Sequence, residues 1–179
     1  MIQKTLFRAM ALPFFTIALL LSSCTLGGDD DTDYNKTLLE AGTAAPDFTF
    51  FTDDNPDGQT LASLRGSYVL IEFWRSTCSD CRDATPSMKR IHSTYGPRGL
   101  VILGVSFDTD EDQWRTYIEK NGLLWMQHRE LVPASRSTVA SAYNIKWTPT
   151  FYLIDPQGRI DFANVYVEEI EKRLAETVF

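Results

Sequence analysis

The run Tyr68-Val69-Leu70-Ile71-Glu72-Phe73-Trp74 is apolar at both odd and even positions, with Glu72 as the one charge. Successive side chains of a strand point to opposite faces, so such a run needs cover on both sides. A second run of this kind, Leu100-Val101-Ile102-Leu103-Gly104-Val105, follows. Between and after them lie segments that read as helices, from about Ser79 to Tyr95 and from Asp110 to Asn121, stopped by Gly96-Pro97 and Gly122. Ser137 to Asn144 reads as a short helix and Thr150 to Ile154 as a strand. Asp155-Pro156-Gln157-Gly158 turns into Arg159 to Ala163, and Val167 to Val178 carries the spacing of an amphipathic helix. Upstream, Asp47 to Thr52 reads as a strand and Asp53 to Gly58 as a turn, an N-terminal β-hairpin. Alternating strands and helices predict an α/β sandwich.

Cys78-Ser79-Asp80-Cys81 stands four residues after the first run, where the strand gives way to a helix. Thiol–disulfide exchange needs a thiolate, and a helix N-terminus favours an anion through its unpaired N–H groups and its dipole. Cys81, three residues on, shares a helical face with Cys78, so Cys78 is expected to attack and Cys81 to resolve the mixed disulfide. Glu72 is costly in an apolar strand unless it has a role or a partner. Burial raises a carboxyl pKa and suits it to general acid–base work. Three other readings stand beside this one. Half a zinc site would draw on His92 and His128, which read as surface residues, and no second cysteine pair exists. A structural disulfide would close almost no loop. A peroxidase is the third.

The segment Glu72-Phe73-Trp74-Arg75-Ser76-Thr77-Cys78-Ser79-Asp80-Cys81 resembles the active-site segment of the thioredoxin superfamily. With Leu61-Ala62-Ser63-Leu64-Arg65-Gly66 before the strand and Thr148-Pro149 before a late one, the chain is most similar to membrane-tethered TlpA/ResA-type thiol-disulfide oxidoreductases, which are AhpC/TSA-related. The likeness runs from about Ala45 to the C-terminus and implies an α/β thioredoxin-like fold, a central mixed sheet flanked by helices with an N-terminal β-hairpin extension. It implies that Pro149 is a cis-proline facing the cysteines, that the Thr148 backbone pairs with a substrate peptide, and that Pro86 bends the first helix. It also places Glu72 at the buried acid that takes the proton of the resolving Cys81, and Cys78–Cys81 as the redox-active disulfide, with no other cofactor and no metal. Trp74 and Trp147 flank this site, and Trp74 is expected to contribute to a peptide groove. The chain departs from ResA-like members in carrying Ala84 where they have Glu. Asp80 opposes negative charge on Cys78, which favours a reductase over an oxidant. A peroxiredoxin-like peroxidase is the alternative enzyme, but its Pro and Thr/Ser positions are occupied by Ile71 and Arg75, and a non-catalytic metal- or substrate-binding thioredoxin-fold lipoprotein is the alternative from another class.

The N-terminus adds an address. Residues 1–23 hold Lys4 and Arg8, no acid, and an apolar run from Ala9 to Leu21, then Leu21-Ser22-Ser23-Cys24. This resembles a lipoprotein signal peptide whose lipid is carried by Cys24, and that cysteine is the odd one of three. Residues 24–42 read as an acidic tether and 43–179 as the domain. The expected location is a bacterial membrane surface facing the periplasm, with the outer membrane as an option. Expected partners are disulfide-containing exported proteins and a membrane or soluble thiol electron donor, approached by a monomer. The net charge of −7 excludes nucleic acid, whose phosphates call for clustered Lys and Arg.

Overall fold

The two-faced apolar run forms the middle strand of the sheet, as its pattern requires. The structure, a computed structural model, describes residues 33–177 and 179; the expected signal peptide and Cys24 lie outside them. In chain order the elements are β1 Thr49–Thr52, β2 Asn55–Thr60, β3 Val69–Trp74, α1 Ser79–Tyr95, β4 Val101–Ser106, α2 Glu111–Asn121, β5 Met126–Arg129, α3 Thr138–Ala142, β6 Thr150–Ile154, β7 Ile160–Asn164 and α4 Val167–Glu176. The main sheet has the order β5-β4-β3-β6-β7. β3 runs parallel to β4 and antiparallel to β6, which makes the sheet mixed. β1 and β2 form a separate hairpin.

Alternation along β3 divides the core in two. Leu70 and Trp74 face α1 and α4, packing with Ala84, Met88, Ile91, Ile170 and Leu174. Val69, Ile71 and Phe73 face the other way, onto Val139 and Ala140 of α3, Tyr143, and Phe50 of the hairpin. Six consecutive buried residues in β3 thus satisfy both layers. Glu72 falls on the α1 side by the same alternation, which directs its carboxyl toward the helix that carries the cysteines.

Three sequence expectations change. The stretch read as a turn, Asp53 to Gly58, is mostly β2; the reversal occupies Asp53-Asp54, and Pro56 and Gly58 sit in a strand paired on one edge only, where a missing N–H is tolerated. β5 went unread because Met126-Gln127-His128-Arg129 is an edge strand without an apolar run. Residues 33–42, read as the end of a solvated tether, lie on the domain. Leu38 and Leu39 pack against the core, Leu39 N–H donates to the Tyr152 hydroxyl (3.1 Å), and Val165 N–H donates to Asn35 Oδ1 (3.0 Å).

Candidate active site

Cys78 is the N-cap of α1. Its Sγ accepts the Cys81 N–H at 3.4 Å, so one of the unpaired donors of the first helical turn points at the sulfur that would carry negative charge. Its S–H donates to the Thr148 carbonyl at 3.2 Å. The Thr148-Pro149 peptide bond is cis, and the Thr150 hydroxyl donates back to the Trp147 carbonyl at 2.8 Å. Chain segments 70 residues apart thus meet at one sulfur.

Cys81 lies behind Cys78 and is only 2% exposed. Burial, together with the side-chain hydrogen bond to Cys78, pushes its thiol up. Such a thiol does not ionise unaided near neutrality; it needs a base. Glu72 is 3% exposed, and among the described residues no ion pair holds it. Desolvation lifts its pKa from 4.5 to about 8. Its charge in turn raises the Cys81 pKa, so the two groups are electrostatically coupled. An acid that titrates near neutrality beside a buried thiol is matched to exchanging a proton with it.

The outer face of Cys78 opens on a groove of about 610 Å³ bounded by Arg75, Pro133, Ile145, Lys146, Trp147 and Thr148. Trp147, 39% exposed, stacks on Tyr34 with ring centroids 4.8 Å apart. The N-terminal segment therefore braces one wall of this groove.

The structure brings Cys78, Cys81, Glu72, Thr148 and Pro149 together, and it corrects two expectations. Trp74 is 2% exposed, packs on Tyr117 within the core and does not line the groove; its place in β3 points it under α1. The aromatic wall is Trp147. His128 is buried in β5, where its Nδ1 accepts the Phe51 N–H (3.3 Å) and its Nε2 meets Glu130 (3.2 Å), tying the β1–β2 hairpin to the sheet. His92 is partly buried against Trp125.

A further clamp escaped the sequence reading. Asp108, buried just beyond β4, accepts the Ser76 N–H (2.8 Å), the Ser76 hydroxyl (2.9 Å) and the Ser106 hydroxyl (2.7 Å). These bonds fix the loop that delivers Cys78 and satisfy a buried carboxylate. Its signal lies in the strand register: Trp74 pairs with Ser106, so the residues two beyond each, Ser76 and Asp108, leave the sheet side by side.

The geometry agrees with what similar proteins are. The AhpC/TSA family matches residues 41–163. The thiol-disulfide oxidoreductase ResA of Geobacillus kaustophilus is 29% identical over 164 residues, covering 89% of this chain and 91% of that protein. ResA of Bacillus subtilis is 26% identical over 147 residues, with coverage of 79% and 78%. The thioredoxin domain of a thiol-disulfide oxidoreductase from Bacteroides vulgatus superposes with a TM-score of 0.69 at 29% identity, covering 77% of this chain and 97% of that domain. A thiol:disulfide interchange protein from Bacteroides sp. gives the same TM-score, 0.69, at 29% identity, with coverage of 78% and 91%. Residues 41–163 span most of the chain. The chain belongs to the AhpC/TSA family and is a thiol–disulfide oxidoreductase with the thioredoxin fold.

Proposed function

We propose that this oxidoreductase reduces disulfides in exported proteins through the Cys78–Cys81 couple. The observation that carries the reading is the contrast between the two thiols: Cys78 faces a groove beside the cis Thr148-Pro149 bond, while Cys81 is sealed behind it next to Glu72. The Cys78 thiolate attacks one sulfur of the substrate disulfide. The Cys78–substrate bond forms, the substrate S–S bond breaks, and the first substrate thiolate leaves. Cys81 then gives its proton to the Glu72 carboxylate, and its sulfur attacks Cys78 Sγ. The second substrate thiolate departs, and the couple is left oxidised, two electrons having passed to the substrate. Substrate backbone is read by the Thr148 main chain, and Trp147 supports one flank of the peptide.

A thiol donor must then re-reduce the couple, and Glu72 returns its proton to the Cys81 sulfur in that half-reaction. The donor is a membrane or soluble thiol protein. The signal-like residues 1–23 and the Leu21-Ser22-Ser23-Cys24 sequence support export and lipid attachment at Cys24, with the domain at a membrane surface facing the periplasm. Residues 25–32 carry Asp29, Asp30 and Asp31 and suit a solvated linker between lipid and domain. Radiolabelled palmitate should enter the full-length chain and be absent from Cys24→Ser; equal labelling of both would refute the anchor. The direction of electron flow is set by the reduction potential of the couple. A poise as reducing as thioredoxin, about −270 mV, is the expected result, and an oxidising poise would reverse the reading.

A further inference from the structure

We propose that Gln127 is a positioning residue for Glu72, and that its amide and the Trp74 indole N–H are the donors that receive the Glu72 carboxylate before it takes the proton of Cys81. This rests on the role given to Glu72 above.

Sheet register supplies the first argument. Glu72 of β3 pairs with Gly104 of β4, and Gly104 pairs with Gln127 of β5, so the three lie in one row across the sheet and on one face. Glu72 and Gln127 are two strand spacings apart, about 10 Å between backbones, and each has a long side chain. The residue between them has none.

Gly104 supplies the second. It is not among the positive-φ glycines, so the backbone does not demand glycine there. Glycine in a strand interior is unfavourable and marks a close approach. Here the approach is by two polar groups. A Cβ at 104 would collide with the Gln127 amide oxygen, come within 3.0 Å of its Cδ and lie 3.1 Å from Trp74 Nε1. The missing side chain is a notch occupied by polar heads.

The third argument is that these heads have no other use. Gln127 sits on the edge strand and is only partly buried, so its amide could lie in water. Instead the amide turns inward, and both its nitrogen and its oxygen are buried without a hydrogen-bond partner. Trp74 Nε1 is buried and unpartnered as well. Unpaired buried polar groups are costly, and an amide and an indole N–H gathered over one glycine point to a shared partner. Glu72, in the same row as Gly104 and two residues before Trp74, is a carboxyl on that face; Arg129, two residues after Gln127, lies on it too and is paired with Glu111 at 2.8 Å. The other titratable groups coupled to it are Cys81 from α1 and Tyr117 from α2, whose hydroxyl is engaged with Thr85 at 2.9 Å. β6 contributes Phe151 in register with Glu72, which offers no hydrogen bond.

When Glu72 is a neutral acid, these donors are idle. When it is a carboxylate, rotation of the Gln127 amide and a shift of the Glu72 side chain across the notch bring two N–H donors to it. They therefore lower its proton affinity without touching substrate or either sulfur.

The test is the titration of Glu72 in the full-length reduced protein, followed by carboxyl-carbon NMR and assigned by its loss in Glu72→Gln. Gln127→Leu should raise the Glu72 midpoint by about one to two pH units, the equivalent of one charge-assisted hydrogen bond. Gly104→Ala, which displaces the amide and leaves Gln127 in place, should move it the same way, and Gln127→Glu should raise it as well by repulsion. Alkylation of Cys78 by iodoacetamide at pH 7 should be unchanged in Gln127→Leu. An unmoved Glu72 midpoint in folded Gln127→Leu overturns the inference; should that variant not fold, the same result in Gly104→Ala overturns it. A moved midpoint with an unchanged pH profile of disulfide exchange keeps the inference and removes the base role of Glu72, so the two failures are distinct.

Discussion

Glu72→Gln should be more stable than the wild type at pH 7 and poorly active, and the two should be equally stable near pH 4. In the unfolded chain Glu72 ionises near its ordinary 4.5, whereas in the fold burial holds its proton to about 8. Between those values the folded state binds more protons than the unfolded one, so folding stability falls as pH rises. The protonated acid's contribution is fully present below pH 4.5 and is lost as pH rises through 8. At about 1.4 kcal/mol per unit, the penalty at pH 7 is roughly 3 kcal/mol. A glutamine of the same shape carries no charge and escapes it. Urea denaturation at pH 4 and pH 7 reads this directly, and a gain that is equal at both pH values would assign it to packing instead. The catalytic cost runs opposite: loss of a general base slows resolution by about 10²–10⁴-fold. The limb of the exchange-rate profile near pH 8 should vanish with it. Stability given up at a working residue is a familiar trade, and here it falls on one carboxyl.

Cys81→Ser should lose disulfide turnover by at least about 10³-fold and accumulate as a mixed disulfide with its substrate through Cys78. Intramolecular attack by Cys81 is worth a large effective concentration, and serine cannot replace it as a nucleophile toward sulfur. Cys78 keeps the features that let it attack: the groove on its outer side, the Cys81-position N–H on its sulfur, and the Thr148 carbonyl beside it. Non-reducing electrophoresis with a disulfide-bonded substrate, followed by dithiothreitol, should show the adduct and its release. The reverse pattern, with an adduct in Cys78→Ser and none in Cys81→Ser, would exchange the roles of the two sulfurs. Burial argues against that outcome, since Cys81 has almost no exposed surface for a substrate to meet.

Much of this site could be read from the sequence because its parts are local. Alternation in Val69 to Trp74 fixes the face of Glu72, and the cysteine pair lies at the strand-to-helix junction where a thiolate is favoured. The Thr148-Pro149 element was legible only by resemblance, because nothing local in Lys146-Trp147-Thr148-Pro149 says which distant sulfur it meets. The failures share a cause, which is that burial is a tertiary property. Trp74 looked like a groove residue from its nearness in sequence to Cys78, but strand alternation buries it against Tyr117. His128 looked exposed among polar neighbours, yet the β1–β2 hairpin covers the edge strand that carries it. Residues 33–42 looked like tether because acids dominate the preceding stretch, while Tyr34, Leu38 and Leu39 find partners far along the chain. The Asp108 clamp and the Gly104 notch each require strand pairing to be seen.

The central claim is that Cys78 and Cys81 form a reversible couple that donates electrons. It is tested most directly by equilibrating the protein against glutathione or dithiothreitol buffers and counting free thiols at each poise. The expected result is a two-electron couple at about −250 mV or lower. A midpoint near about −120 mV would make the protein an oxidant, and the absence of any reversible two-electron couple would remove the catalytic reading altogether.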